Sequence, residues 1–205
     1  VTDSLKVDTY LGSGAAEALS AANVASASGF DGLWSAELDH DPFLPLARAA
    51  DAAGPMQLGT SIAVAFARSP MTVANTAWDL QELTRGNFLL GLGSQVRAHI
   101  ERRFSMPWSH PAARMREYIL ALKAIWSSWQ DGVPLDFKGD FYSHTLMTPT
   151  FSPRPLPFGP PKVHLAAVGT AMTKVAAEVA DGLLVHGFTT PRYLREVTLP
   201  ALGDW

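Results

Sequence analysis

The sequence contains no cysteine. Disulfide scaffolds, zinc–thiolate sites, iron–sulfur clusters and thiol nucleophiles are therefore excluded. Charge is sparse too, at 17% of residues, and there is no basic excess: 16 Lys+Arg face 19 Asp+Glu, a formal charge of −3. A general nucleic-acid binder or a protein held to anionic lipid needs a basic surface, so neither partner is expected. Long apolar runs are missing. The most apolar stretch, Met56–Ala67, is short and is interrupted by Gln, Gly, Thr and Ser, so it cannot span a bilayer. The first residues, VTDSLK, show no basic-then-apolar leader, which makes the cytoplasm the expected location. No HxH or HxxxH pair occurs and the histidines are scattered, so no metal site is expected.

What is present is 47% hydrophobic residues, enough for a packed core, arranged in alternating strand-like and helix-like segments over a single domain, 1–205. Strands are expected at Lys6–Leu11, Gly32–Ala36, Met56–Phe66, Asn87–Leu92, Val163–Val168 and Gly182–His186. Helices are expected at Gly14–Ala27, Phe43–Ala53, from Pro70 toward Gly86, Pro111–Trp129, Thr170–Ala180 and Pro191–Leu202. Ser69 with Pro70 marks a helix start. A Pro- and Gly-rich stretch at about 131–161 breaks the rhythm, and DFKGDFY inside it reads as a small hairpin, so this stretch is an insertion. Repeated β-then-α units imply a parallel sheet, either open and doubly wound or closed as a barrel. The pattern alone leaves that choice open.

Ligands in such folds sit at the carboxyl ends of the strands. That rule selects ELDHDP after strand two, Ser61–Val64 after strand three, GLGSQ after strand four, Val168-Gly169-Thr170 after strand five and His186-Gly187 after strand six. Three acids around His40 would keep its imidazole protonatable, as a general acid requires; a solvated loop with a helix cap at Asp41-Pro42 is the plainer alternative. GLGSQ lacks the third glycine of a dinucleotide fingerprint. Val168-Gly169-Thr170 ahead of a helix is a better anion site, with free amides at a helix N-terminus. Arg97 is placed to reach a polyanionic tail, though Arg97, Arg102 and Arg103 also suit a solvated helix face.

These strand-end residues, in this order, resemble the luciferase-like monooxygenase superfamily. The similarity is carried by GTSIAVAFARSPMTVANTAWDLQELTRGNFLLGLGSQ, AELDHDPFLPLA, RRFSMPWSHPAARMREYILALKAIW and AAVGTAMTKVAAEVADGLLVH, and it is nearest to the actinobacterial branch that depends on the deazaflavin coenzyme F420. The resemblance implies an α/β fold, a (β/α)8 TIM barrel of the bacterial-luciferase type, of which about six of eight units are present. It implies a hydride-transferring oxidoreductase with coenzyme F420, or FMN as the alternative, acting on a small-molecule substrate, with the habit of forming a homodimer. An incomplete barrel that binds cofactor without turnover is the rival from outside enzymology.

The same resemblance assigns residues. Ser61-Ile62 matches a non-prolyl cis peptide behind the cofactor ring. Gly93, Ser94 and Arg97 match strand-four contacts, and Ala167, Val168, Gly169 and Thr170 match the phosphate loop. His40 is the candidate acid or base, with Glu37 orienting it. Relatives carry an adjacent acid–His pair, whereas Leu38 follows Glu37 here.

Overall fold

The computed structural model describes residues 5–12 and 14–203. Strands β1 (Asp8–Tyr10), β2 (Gly32–Ser35), β3 (Gln57–Thr60), β4 (Ala63–Val64), β5 (Phe88–Gly93), β8 (Lys162–Ala167) and β9 (Gly182–Val185) form one sheet. Strands β6 (Phe137–Lys138) and β7 (Ser143–His144) form the separate antiparallel hairpin expected within the insertion. The large sheet runs β1-β2-β3-β5-β8-β9, every pairing parallel, with β4 continuing β3 along β5. Helices α1 (Ala18–Ala27), α2 (Phe43–Ala53), α3 (Pro70–Leu83), α5 (Pro111–Asp131) and α6 (Thr170–Val179) pack against one another in chain order along the outside. The result is a parallel half-barrel, six strand positions of a TIM barrel.

Local chemistry accounts for the helix starts. Ser69 accepts a hydrogen bond from the Thr72 amide at 3.2 Å, and Pro70 takes the first position of α3. Asp41 accepts from the amides of Phe43 and Leu44 at the head of α2. The stripe Met115, Tyr118, Leu122, Ile125 and Trp129 of α5 is buried, as its spacing predicts. On β8, Val163, Leu165 and Ala167 are buried, while His164 and Ala166 are half-buried on the alternate face.

Two expectations need correction. The strand expected over Met56–Phe66 is three pieces: β3, a break at Ser61-Ile62 where the peptide is cis, then β4 and a 3-10 turn over Ala65–Ala67. Gly59 pairs with Leu89 and Ala63 with Leu92, so one extra residue bulges out of the ladder. The last helix, Pro191–Leu202, is also interrupted, with a π turn at Leu194–Thr198 between short α segments. An additional short helix, α4 (Arg97–Arg102), follows β5.

At the bulge a side chain replaces the lost ladder bonds. The Thr60 hydroxyl donates to the Gly91 carbonyl at 2.7 Å and accepts from the Gly91 amide at 2.9 Å, fully buried. Gly91 has no room for anything larger, because a Cβ there would lie 1.7 Å from the Thr60 carbonyl oxygen. Replacing Gly91 by Ala is expected to cost about 3 kcal/mol through overpacking. At Gly169 a Cβ meets nothing within 4 Å and φ is −84°, so Gly169→Ala is expected to cost only the N-cap preference for glycine, about 0.5 kcal/mol. Urea unfolding of the two variants measures the contrast.

Candidate active site

The carboxyl ends of the strands open into one cavity of about 670 Å³. Its walls come from the bulge, from the end of β5, and from the turns after β8 and β9. Seven of the residues assigned to cofactor binding line it: Ser61, Ile62, Gly93, Ser94, Ala167, Val168 and Gly169. Ile62 packs on Gly93, where a Cβ would come within 2.9 Å of its side chain, so the bulge and the end of β5 form one continuous surface.

The turn after β8, read from the sequence as a candidate anion site, leads directly into α6. Gly169 is the residue before α6, and the first intrahelical bond there runs from the Thr173 amide to the Gly169 carbonyl, at 3.0 Å. The amides of Thr170, Ala171 and Met172 precede that bond and stand at the positive end of the helix. The Val168 carbonyl is held by the Tyr193 hydroxyl at 3.1 Å, which fixes the turn against the C-terminal helical segment.

The expected pairing of Glu37 with His40 is not formed. Glu37 is buried, and its Oε2 accepts from the Val64 amide and from Arg68 Nη1, each at 2.7 Å. Arg68 Nη2 reaches Asp41 at 3.0 Å. Burial works against the Arg68 charge, but the bonds to Glu37 and Asp41 outweigh it and raise the guanidinium above its ordinary value. The acid therefore pins the backbone just past the bulge. His40 lies on the exposed loop after β2, outside the cavity lining, with Nε2 3.7 Å from Asp39 and the ring beside Gly14. Leu38 and Asp39 separate the two in sequence, and Glu37 is buried while the imidazole is exposed. Asp41 serves both as the α2 cap and as an Arg68 partner, the plainer alternative for this loop.

Arg97 and Thr170 also stand outside the lining residues. Arg97 pairs with Glu101 one turn along α4, at 2.9 Å, on the surface. Thr170 is the first residue of α6.

Several participants escaped the sequence reading. Tyr10, at the carboxyl end of β1, lines the cavity and its hydroxyl lies 3.2 Å from Ser61 Oγ. Applying the strand-end rule to the first strand would have found it. Met172, Leu184 and Val185 supply apolar wall. Arg68 left one clue: three carboxylates within ELDHD call for a cation somewhere. Behind it, Arg114 bonds Tyr142 and the Pro107 carbonyl and lies over the Phe66 ring, which walls off the Arg68 cluster. Burial first, then Tyr142, raises the Tyr118 phenol well above its usual value against the pull of Arg68 and Arg114.

Residues 3–202 match the family described as luciferase-like monooxygenase. The chain belongs to that family. A relative of 56% identity over 97% of the chain is the uncharacterized protein Rv1360 of Mycobacterium tuberculosis; the chain spans 58% of that relative's length. Among solved structures, monooxygenase RslO1 of Streptomyces bottropensis superposes with a TM-score of 0.81 at 21% identity, over 98% of this chain and 65% of that one. The coenzyme F420-dependent tetrahydromethanopterin reductase of Methanopyrus kandleri gives 0.76 at 21% identity, over 97% and 59%. This luciferase-like half-barrel thus shares its fold with a monooxygenase and with a coenzyme F420-dependent reductase.

The Glu37 pin carries a prediction. Glu37→Ala leaves the Val64 amide unpaired and removes one partner of a mostly buried cation, which costs about 3 kcal/mol. Unchanged denaturant stability would show that Glu37 is dispensable to the bulge.

Proposed function

We propose that this luciferase-like protein is an oxidoreductase that transfers a hydride between the deazaflavin coenzyme F420 and an organic substrate. The observation that carries the reading is the convergence of the bulge, the β5 end and the α6 turn on one cavity. The cavity suits such a cofactor. The backbone at Gly169 is open to a ligand, the α6 amides offer neutral donors to a phosphate, and Ile62 presents an apolar surface to a ring. A bound deazaflavin supplies a ring carbon that gives or accepts the hydride.

The chain's residues do the rest. Gly169 and Thr170 hold the phosphate at the helix terminus. Ser61-Ile62 backs the ring, Gly93 lets it approach the β5 end, and Ser94 lies beside it. Glu37, through Val64 and Arg68, keeps the bulge in place. Fluorescence titration of the purified chain with coenzyme F420 and with FMN tests the reading. Tight binding of the deazaflavin alone is expected, and tight binding of FMN alone would instead favour an oxygen-using flavoprotein.

Proton transfer falls to one of two groups: His40 on the exposed loop after β2 or the Tyr10 hydroxyl in the cavity wall. Tyr10 is nearer the bulge, with Ser61 as hydrogen-bond partner. Tyr10→Phe is therefore expected to lower turnover by 10²-fold or so, with cofactor affinity kept, and more than His40→Ala does. The reverse order would return the role to His40. A second reading, binding without turnover, is favoured by the separation of Glu37 from His40; it predicts that neither substitution changes anything but binding.

A further inference from the structure

Arg114 is buried, at 8% exposure, and its hydrogen bonds go to neutral groups. Nε donates to the Tyr142 hydroxyl at 2.9 Å and Nη1 to the Pro107 carbonyl at 2.6 Å. Among the described residues, the carboxylates of this region pair elsewhere: Glu37 and Asp41 take Arg68. A buried cation held this way is expensive, and an apolar side chain of like size would fill the space at lower cost. What the guanidinium grips accounts for its place.

It grips the far end of the bulge. Its central carbon lies 4.9 Å from the centroid of the Phe66 ring. The Trp108 ring meets the same phenyl group edge-on, at 5.7 Å and 71°. Trp108 follows Pro107, so the arginine sets both contacts, one directly and the other by holding the loop. Phe66 is fully buried, and Ala63, Val64 and Ala65 join it to Ile62 in the cavity wall. Glu37 fixes Val64 from one side of this segment, and Phe66 closes it from the other.

The inserted hairpin sets the arginine in turn. Tyr142 stands between β6 and β7, in a turn wrapped around one carboxylate. Glu117 of α5 accepts from the amides of Asp140 at 2.9 Å, of Phe141 at 2.7 Å and of Tyr142. A Cβ at Gly139 would lie 2.2 Å from the Glu117 carboxylate, so glycine lets the turn close on it. The Tyr118 ring backs Tyr142 edge-on at 5.4 Å. The phenol oxygen is thereby presented to Arg114 in one place.

We infer that Arg114 is a positioning residue for the cavity wall: it holds the bulge through Phe66, and the inserted hairpin sets it through Tyr142. The inference rests on the function proposed above for the cofactor that this wall serves. Four variants of the full chain test it: Arg114→Met, Arg114→Lys, Tyr142→Phe and Lys138→Ala. The last removes an exposed hairpin side chain that pairs with Asp136. Amide hydrogen exchange over residues 61–67 and the Kd for coenzyme F420 are measured, each beside urea unfolding.

Arg114→Met is expected to speed exchange at the bulge and to weaken coenzyme F420 binding, each by about tenfold, the scale of coupling between a remote residue and a site. The unfolding midpoint should hold or rise, because a buried cation has been exchanged for an apolar group. Arg114→Lys should fall between, since an ammonium keeps the charge but has no planar fork for two acceptors. Tyr142→Phe should move both readings the same way and add nothing once Arg114→Met is present, because both act through one set of contacts. Lys138→Ala should change neither.

The inference is overturned if Arg114→Met leaves exchange at the bulge unchanged, if the readings change only in step with a lower unfolding midpoint, or if the effects of Arg114→Met and Tyr142→Phe add in full. Should Arg114→Met not fold, exchange and binding in Tyr142→Phe decide in its place. Faster exchange in Arg114→Met, with no coenzyme F420 binding by the unaltered chain, would defeat the cofactor reading and leave the role of Arg114 standing. Coenzyme F420 binding that Arg114→Met leaves unchanged would overturn this inference alone.

Discussion

The contact between Thr60 and Gly91 sets the shape of the cavity. A parallel sheet left to itself would carry β3 straight along β5, and the strand end would be a smooth edge with no hollow. Instead one extra residue is inserted opposite Leu90 and Gly91. The backbone groups of Gly91 would then be buried without partners, a cost of a few kcal/mol, and the Thr60 hydroxyl satisfies both. Glycine at 91 is what permits the approach. With those bonds in place Ser61 and Ile62 swing into the cavity, and Ile62 settles on Gly93.

The acidic loop after β2 belongs to the same construction. Glu37 receives the amide of Val64, immediately past the bulge, and the guanidinium of Arg68, which also ties in Asp41 at the head of α2. Strand two, the bulge and the second helix are thereby joined by one cation and two carboxylates. A buried ion pair contributes little net stability by itself, but removing either partner is expensive. Its value here is geometric, because it fixes a backbone that the sheet no longer fixes. The loop thus divides its labour: Glu37 and Asp41 hold structure, and His40 faces outward.

The opposite side of the cavity is built without charge. The α6 terminus offers oriented amides, Tyr193 fastens the Val168 carbonyl, and Ala166, Met172, Leu184 and Val185 supply apolar wall beside His186. A site of this kind orients a ligand by shape and by a few neutral donors. In the function proposed above, the bound cofactor would do the difficult step and these walls would supply position. The chain's fold-mates include both a monooxygenase and a deazaflavin-dependent reductase, in keeping with one scaffold hosting several chemistries through its strand-end loops.

The order of elements was legible in the sequence because it is written in local terms. The Phe43–Ala53 helix, the Ser69-Pro70 start, the α5 stripe and the DFKGDFY hairpin depend on neighbours within a few residues, and so does the start of α6 after Gly169. Family resemblance supplied the closed-barrel type, which the β/α rhythm by itself could not choose. What the chain pattern could not reveal were relations between distant segments. Met56–Phe66 reads as one strand because its apolarity is unbroken, yet Gly91, 31 residues from Thr60, decides where it bends. ELDHD reads as a cluster around its imidazole, yet Arg68 claims Glu37 and Asp41 for the core. Tyr10 meets Ser61 only once β2 lies between their strands. Local propensity determined which elements form; the competition of buried polar groups for partners, which exists only after the strands are side by side, decided which of their residues face the cavity.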